Sequence, residues 1–222
     1  MMVRSERRLI QGPAVQIEVV LDWPSKRHIG VAFVGHPHPL FGGTLDNKVA
    51  ATLARAFVTA GWAAVRPNFR GVGASAGSHD EGRGETDDFL HLIGSAKEWS
   101  EGSLDPAAAL ALAGFSFGSF VAAQACARLS AAQRPPRHLV LIGAAAGKWP
   151  MPAVPPLTLA IHGELDETIP LADVLAWARP QDLPIVVLPG ADHFFHRRLS
   201  ILKRLVIGHL QECPFDAAGQ ND

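Results

Sequence analysis

The chain has 222 residues, of which 48% are hydrophobic and 18% charged, and its formal net charge is −1. This length favours one α/β domain over residues 1–222, and the apolar content excludes an intrinsically disordered chain. The balanced charge argues against nucleic acid or an anionic membrane as a partner. The first residues lack the apolar segment of a secretory signal, and no stretch approaches the roughly 18 apolar residues of a membrane span. A cytoplasmic protein is therefore expected.

Apolar runs of strand length alternate with longer stretches of helical periodicity. This alternation predicts a mostly parallel sheet of about seven strands with helices on both faces. The predicted strand regions are 8–23, which forms antiparallel edge strands, and 28–34, 62–66, 107–113, 138–142, 157–161 and 185–188. The predicted helices cover 46–60 with Asp46 as N-cap, 87–99, a segment after Ser116, 171–178 and 197–210.

The pattern G-x-S-x-G occurs twice, at 73–77 and at 114–118. In a nucleophile elbow this pattern forms a sharp turn between a strand and a helix, and the turn exposes the serine hydroxyl. Ser116 follows the apolar run 107–113 and precedes a segment rich in small residues, as such a turn requires. Ser75 is separated from its strand by a loop and is followed by a polar segment. The sequence therefore predicts Ser116 as the nucleophile and Ser75 as a loop residue.

A serine nucleophile needs a general base, and the base needs an acid that orients it. In chains with this elbow the acid and then the histidine follow the serine, on loops after late strands. Asp166 follows the strand predicted at 157–161, and His193 follows the strand predicted at 185–188. We therefore predict Asp166 as the acid and His193 as the base. The alternatives that remain open are His196 for the base and Glu164, Glu167 and Asp192 for the acid.

An oxyanion formed at the serine needs N–H donors, one from the residue after the nucleophile and one from the loop after an early strand. Phe117 supplies the first. In the loop His-Pro-His-Pro, Pro37 and Pro39 have no N–H to donate. The second predicted donor is therefore His38, with Leu40 as the alternative.

The same loop permits a metal site, because alternate residues of an extended segment place His36 and His38 on one side. The further ligands of such a site are not evident in the sequence, and we predict no metal. Two cysteines, Cys126 and Cys213, predict neither a disulfide framework nor a cysteine-rich metal site. Both are expected to be reduced structural thiols.

Four segments taken together extend this interpretation: HPHPLFGG, NKV, FRGVGASAG and GFSFG. Their combination resembles the α/β-hydrolase superfamily, in particular its small serine hydrolases without a lid. The resemblance covers nearly the whole chain and implies an eight-stranded, mostly parallel sheet. It also implies a catalytic triad of Ser116, Asp166 and His193. No cofactor is expected for a hydrolase of this kind.

The connection between the strands predicted at 138–142 and 157–161 is about 14 residues long, which is too short for a lid domain. An open site is therefore expected, with Phe41, Trp149 and Met151 as walls of the substrate pocket. The favoured function is hydrolysis of a small-molecule carboxylic ester or thioester through an acyl-enzyme. The alternatives are a non-catalytic binding or regulatory protein on the same fold, and a metal-dependent hydrolase that uses His36 and His38. The acyl chain, the leaving group and the oligomeric state stay open.

Overall fold

The computed structural model of the protein describes residues 4–212. The eight strands are, in chain order, β1 (Arg4–Gln11), β2 (Gln16–Trp23), β3 (Val31–Gly35), β4 (Ala63–Pro67), β5 (Leu110–Phe115), β6 (His138–Ile142), β7 (Leu159–Gly163) and β8 (Ile185–Leu188). The helices are α1 (Lys48–Thr59), α2 (Arg83–Gly94), α3 (Ala96–Trp99), α4 (Phe117–Ala131), α5 (Leu171–Ala178) and α6 (Leu199–Glu212), with single 3₁₀ turns at Pro39–Phe41 and Arg179–Gln181.

The strands form one sheet in the order β1-β2-β4-β3-β5-β6-β7-β8. The β1–β2 and β2–β4 pairs are antiparallel, and every later pair is parallel. The predicted fold class is confirmed, with the eight strands that the family resemblance implies. Because the carboxyl ends of the parallel strands lie at one edge, the loops that follow β3, β5, β7 and β8 meet there.

The central strands are apolar on both faces because helices cover both sides of the sheet. Every residue of β5, Leu110–Phe115, is buried. Helices α1 and α6 pack on one face around Phe57, and α2 and α4 pack on the other around Phe89. Complete burial of such an aromatic side chain stabilises the fold by about 1.5–3 kcal/mol. The core therefore holds β5, and with it the turn at its carboxyl end, in a fixed position.

The N-cap of α1 differs from the prediction. Asn47, not Asp46, caps the helix, because the Asn47 side chain accepts the N–H of Val49 at 2.9 Å and the N–H of Ala50 at 3.3 Å. Asp46 instead accepts a hydrogen bond from Arg7 at 3.0 Å. The prediction placed the start of the helix too early because both residue types are good caps.

Other element boundaries also shift for local reasons. Helix α2 begins before the predicted residue 87, because Gly82 turns the chain at φ 85° and the Glu85 side chain accepts its N–H. Strand β5 begins later than predicted, because Asp105 caps a turn through its bonds to the N–H groups of Ala107 and Ala108. Helix α6 begins after Arg197, whose φ of 60° is incompatible with a helix.

The segment between β6 and β7, residues 143–158, contains no helix or strand. No lid domain is therefore inserted at this point, as predicted. Among residues 4–212, no helix is long and apolar enough to cross a membrane. Cys126 is a buried free thiol, and burial raises the pKa of that thiol; Cys213 lies outside the described residues.

Candidate active site

Ser116 occupies the sharp turn between β5 and α4. Its backbone angles are φ 55° and ψ −122°, a conformation that costs free energy for a residue with a side chain. The surroundings hold this turn: the Ser116 N–H donates to the carbonyl of Ile142 at 2.9 Å, and the Ser119 hydroxyl donates to the carbonyl of Ser116 at 2.5 Å. The strand–turn–helix geometry is that of a nucleophile elbow.

The two glycines of the pattern are required by close backbone packing. A Cβ atom on Gly114 would overlap the carbonyl group of Gly118. A Cβ atom on Gly118 would overlap the backbone of Gly35 and His36 at the end of β3. The pattern thus reflects three backbone segments that touch directly, and Ser116 lies at their junction.

The structure brings Ser116, His193 and Asp166 into one hydrogen-bonded line. The Ser116 hydroxyl donates to Nε2 of His193 at 3.1 Å, and Nδ1–H of His193 donates to Oδ2 of Asp166 at 2.6 Å. All three residues are more than 90% buried. The loops after β5, β7 and β8 carry them, so residues far apart in sequence converge at the carboxyl edge of the sheet.

The carboxylate of Asp166 is held on both oxygens. Its Oδ1 accepts the N–H of Thr168 at 2.9 Å and the N–H of Ile169 at 2.8 Å, which leaves Oδ2 facing His193. His162, at the end of β7, lies 3.5 Å from the same Oδ2 and donates through Nε2–H to the carbonyl of Ile169 at 2.9 Å. His162 was not predicted as a site residue, although a polar residue in an apolar parallel strand indicates a required hydrogen-bond partner.

The alternative base His196 and two of the three alternative acids, Asp192 and Glu164, form separate contacts, whereas Glu167 lines the cleft described below. His196 pairs with Asp192 at 2.5 Å, and the His196 side chain is 71% exposed. Glu164 accepts the N–H of Gly190 at 2.8 Å. None of these three titratable groups touches Ser116 in the part of the chain that the structure describes.

Ser75, the serine of the second G-x-S-x-G pattern, has a structural environment. Its hydroxyl donates to the carbonyl of Asn68 at 2.8 Å and accepts the N–H of Glu18 at 2.9 Å. These bonds attach the loop after β4 to the edge strand β2. A hydroxyl that is engaged twice by backbone groups is not presented to a substrate.

The two predicted oxyanion donors, Phe117 and His38, lie side by side, with their rings 5.0 Å apart. Neither backbone N–H donates a hydrogen bond to another residue within 4–212. The N–H of Leu40, the alternative donor, is engaged by Nδ1 of His38 at 3.2 Å. The arrangement thus favours the His38 N–H over that of Leu40.

An aromatic cluster surrounds the His38 ring. The centroid distances are 4.7 Å to Phe41, 4.7 Å to His79 and 5.7 Å to Trp149. Burial lowers the pKa of His38, and the neighbouring His79 lowers it further, so the neutral ring is favoured. The His38 loop is thus packed against aromatic rings from three other positions of the chain.

His79 is a second residue that the sequence analysis missed. Its Nδ1 pairs with the fully buried carboxylate of Glu85 at 2.7 Å, and its ring lies 5.3 Å from that of Phe117. Glu85 also accepts the N–H groups of Asp80 at 2.9 Å and Gly82 at 2.8 Å. No spacing rule links the two residues; the available signal was the position of Glu85 in the first turn of a helix.

His36 is buried and structural. Its Nδ1–H donates to the carbonyl of Pro37 at 2.6 Å, and its Nε2 accepts the N–H of Phe69 at 2.9 Å. Burial lowers the pKa of His36 to about 4. Since both ring nitrogens are engaged by backbone groups, His36 cannot pair with His38 as a metal ligand in this conformation.

An open cleft of about 510 Å³ lies over Ser116. Two of the three predicted pocket residues, Phe41 and Trp149, line it. The third, Met151, is not among the residues that line it; its side chain is partly buried and packs against the hydrophobic core. The remaining residues that line the cleft are His38, Phe117, Ala145, Lys148, Glu167, Thr168 and Ile169.

Comparison with known proteins identifies relatives with the same fold. A thioesterase-domain family model matches residues 70–150. The chain is similar to a lidless α/β serine hydrolase from Xanthomonas campestris, with 34% identity, a TM-score of 0.84 and 94% of each chain covered. It is also similar to an α/β serine hydrolase homologue from Coxiella burnetii, with 36% identity, a TM-score of 0.77, and 95% of this chain and 99% of that chain covered.

An uncharacterized protein of Rickettsia prowazekii is 28% identical, over 90% of this chain and 86% of its own length. The two structural relatives exceed 30% identity over nearly their whole length, and the one from Xanthomonas campestris has no lid. The chain therefore belongs to the α/β-hydrolase superfamily.

Proposed function

We propose that this protein is a serine hydrolase that cleaves carboxylic esters or thioesters through an acyl-enzyme on Ser116. The observation that carries the proposal is the hydrogen-bonded line from Ser116 through His193 to Asp166 at the floor of an open cleft. A serine hydroxyl is a weak nucleophile alone, and a hydrogen-bonded imidazole with an oriented tautomer activates it.

In the acylation step, the Ser116 oxygen attacks the substrate carbonyl carbon while Nε2 of His193 takes the hydroxyl proton. Asp166 keeps the Nδ1–H tautomer and stabilises the imidazolium that forms. The backbone N–H groups of Phe117 and His38 are the proposed donors to the developing oxyanion. The intermediate then collapses, the bond to the leaving oxygen or sulfur breaks, and His193 returns the proton to the leaving group.

In the deacylation step, a water molecule takes the place of the leaving group. His193 accepts a proton from this water as its oxygen attacks the acyl carbon, and then returns the proton to Ser116. The products are a carboxylic acid and the free enzyme. The protons balance over the two steps, so the cycle needs no further reactant.

The cleft and the family match support a small acyl substrate. The segment 143–158 leaves the cleft uncovered, and the aromatic side chains of Phe41 and Trp149 form apolar walls. The thioesterase-domain match over residues 70–150 supports the inclusion of thioesters beside oxygen esters. Such walls favour an apolar acyl group, because burial of each methylene contributes about 0.8 kcal/mol.

The experiment that tests the proposal is a panel of p-nitrophenyl esters and acyl thioesters of increasing chain length. We expect saturable turnover, a pre-steady-state burst equal to the enzyme concentration, and an acyl adduct on Ser116 in the intact mass of the quenched enzyme. Absence of turnover across the panel, or turnover that Ser116→Ala retains, would refute the proposed function.

A further inference from the structure

His162 is a buried polar residue that the proposed reaction does not use. It is 1% exposed at the carboxyl end of β7, where the neighbouring strand residues are apolar. Its Nδ1 is buried and has no hydrogen-bond partner among the described residues. A buried nitrogen without a hydrogen bond destabilises the folded state. We therefore expect the other ring nitrogen to make a contact that offsets this cost.

That other nitrogen acts on the loop that carries Asp166. Nε2–H of His162 donates to the carbonyl of Ile169 at 2.9 Å, and the N–H of Ile169 donates to Oδ1 of Asp166 at 2.8 Å. Ile169 thus connects the histidine to the carboxylate through its two backbone groups. The hydrogen bond between His162 and Ile169 connects the two ends of the loop that carries Asp166.

His162 carries out this role as a neutral ring. Burial is the largest effect and lowers its pKa; the charged or titratable groups that face it are Asp166, which opposes the shift, and His193, which adds to it. A cation at this position, 3.5 Å from Oδ2 of Asp166, would compete with His193 for the carboxylate. A neutral donor orients the loop and leaves the negative charge available to His193.

We propose that His162 is a positioning residue: through the backbone of Ile169 it aims Oδ2 of Asp166 at His193 and so sets how strongly His193 acts as a base. The proposal rests on the proposed function, because it assigns a role to a neighbour of the Ser116–His193–Asp166 line. His162 does not touch the serine, and its effect passes through Asp166.

Two substitutions separate the donor from the volume of the ring. The amide nitrogen of His162→Gln reaches about as far as Nε2 and can still donate to Ile169, whereas the shorter amide of His162→Asn cannot. We expect His162→Asn to lower kcat about tenfold with KM within about twofold, and His162→Gln to recover most of kcat. His162→Leu fills the apolar surroundings without a donor and serves as a second donor-less variant.

The pH profile and an NMR signal report the role specifically. A less well oriented carboxylate stabilises the protonated imidazole less, so the acid limb of kcat/KM should move to lower pH in the donor-less variants. The low-field proton resonance of the 2.6 Å bond between His193 and Asp166 should move or broaden in the same variants. His138→Asn is the matched control, because His138 is a buried histidine on β6 outside the site, 3% exposed.

The inference is supported if the acid limb and the low-field signal change in His162→Asn or His162→Leu, return in His162→Gln and stay unchanged in His138→Asn. A folded donor-less variant with wild-type kcat and acid limb would overturn it, as would equal losses in His162→Gln and His162→Asn. Failure of the proposed function is distinguishable, because in that case the wild type would show no turnover across the panel or Ser116→Ala would retain the wild-type turnover.

Discussion

Gly73–Gly77 and Gly114–Gly118 carry the same five-residue pattern, yet their serines have opposite environments. Ser75 has both hydrogen-bonding functions of its hydroxyl engaged by backbone groups, whereas the Ser116 hydroxyl faces the ring of His193 at the base of a cleft. The glycines also differ: Gly114 lies against backbone, and Gly77 lies against the side chain of Val15. The strand and helix on either side of the pattern therefore decide whether its serine hydroxyl is exposed to a substrate.

The largest expected difference is in turnover. Ser116→Ala should lower kcat by roughly 10⁴-fold or more, because it removes the nucleophile. Ser75→Ala should keep most of the activity and reduce the free energy of unfolding by about 1–2 kcal/mol, because it breaks two buried hydrogen bonds. Steady-state kinetics and urea unfolding of both variants check this; an inactive Ser75→Ala with an active Ser116→Ala would reverse the assignment.

Substitutions of Gly114 and Gly77 should differ in how much they reduce the free energy of unfolding. Gly114→Ala forces a Cβ atom into the carbonyl group of Gly118, so we expect a loss of about 3 kcal/mol or more together with loss of activity. Gly77→Ala places a residue at φ 83° against a side chain that can move, and a loss of about 1–2 kcal/mol is expected. Thermal and urea unfolding compare the two, and equal losses would contradict the distinction between backbone and side-chain contacts.

His36 contacts both glycine-containing patterns. Its ring accepts the N–H of Phe69 from the loop that contains Ser75, and its backbone packs against Gly118 beside Ser116. Its folded-state pKa is lowered to about 4 from an unfolded value of about 6.5, so the folded state binds fewer protons between these values. The contribution of His36 to the free energy of unfolding is therefore fully present above pH 6.5 and is lost as the pH falls toward 4. We expect about 2 kcal/mol less stability at pH 5 than at pH 7 from this group.

Urea unfolding of the wild type and His36→Gln from pH 8 to pH 5 measures this effect. The variant should be less stable at pH 8 and should depend less steeply on pH. His91→Gln, which changes a histidine on the surface of α2, should keep the wild-type slope. A wild-type slope retained in His36→Gln would show that His36 is not the source of this pH dependence.

The smallest expected effect concerns the cleft over Ser116. Trp149→Ala widens one wall, so the preferred acyl chain should lengthen by one or two methylenes, each worth about 0.8 kcal/mol, while turnover on the best ester persists. Met151→Ala is the matched control, because Met151 lies outside the cleft lining. An equal shift of chain-length preference in both variants would contradict the observed walls.

Most of the fold could be predicted from the sequence, because parallel strands and their covering helices leave strong periodic patterns. Boundaries were less predictable where one residue decides, as at Asn47, whose side chain caps α1, or Arg197, whose positive φ delays α6. Ser116 was predictable because its turn needs a strand, two glycines and a helix in fixed order.

Contacts made by irregular segments were not predictable in the same way. Met151 lies in the segment 143–158, where no periodicity sets the direction of a side chain, and it packs against the hydrophobic core, outside the lining of the cleft. The pairing of His79 with Glu85 depends on how a loop enters α2, and a pattern of residue types does not encode that path. Residues of this kind can be identified once their burial and their hydrogen-bond partners are known.

The most direct test of the central claim is labelling with a fluorophosphonate, followed by peptide mass spectrometry. We expect one label per chain, located on Ser116 and absent from Ser116→Ala, with Ser75 unmodified. A label on Ser75, or a folded wild-type protein that takes up no label, would contradict it.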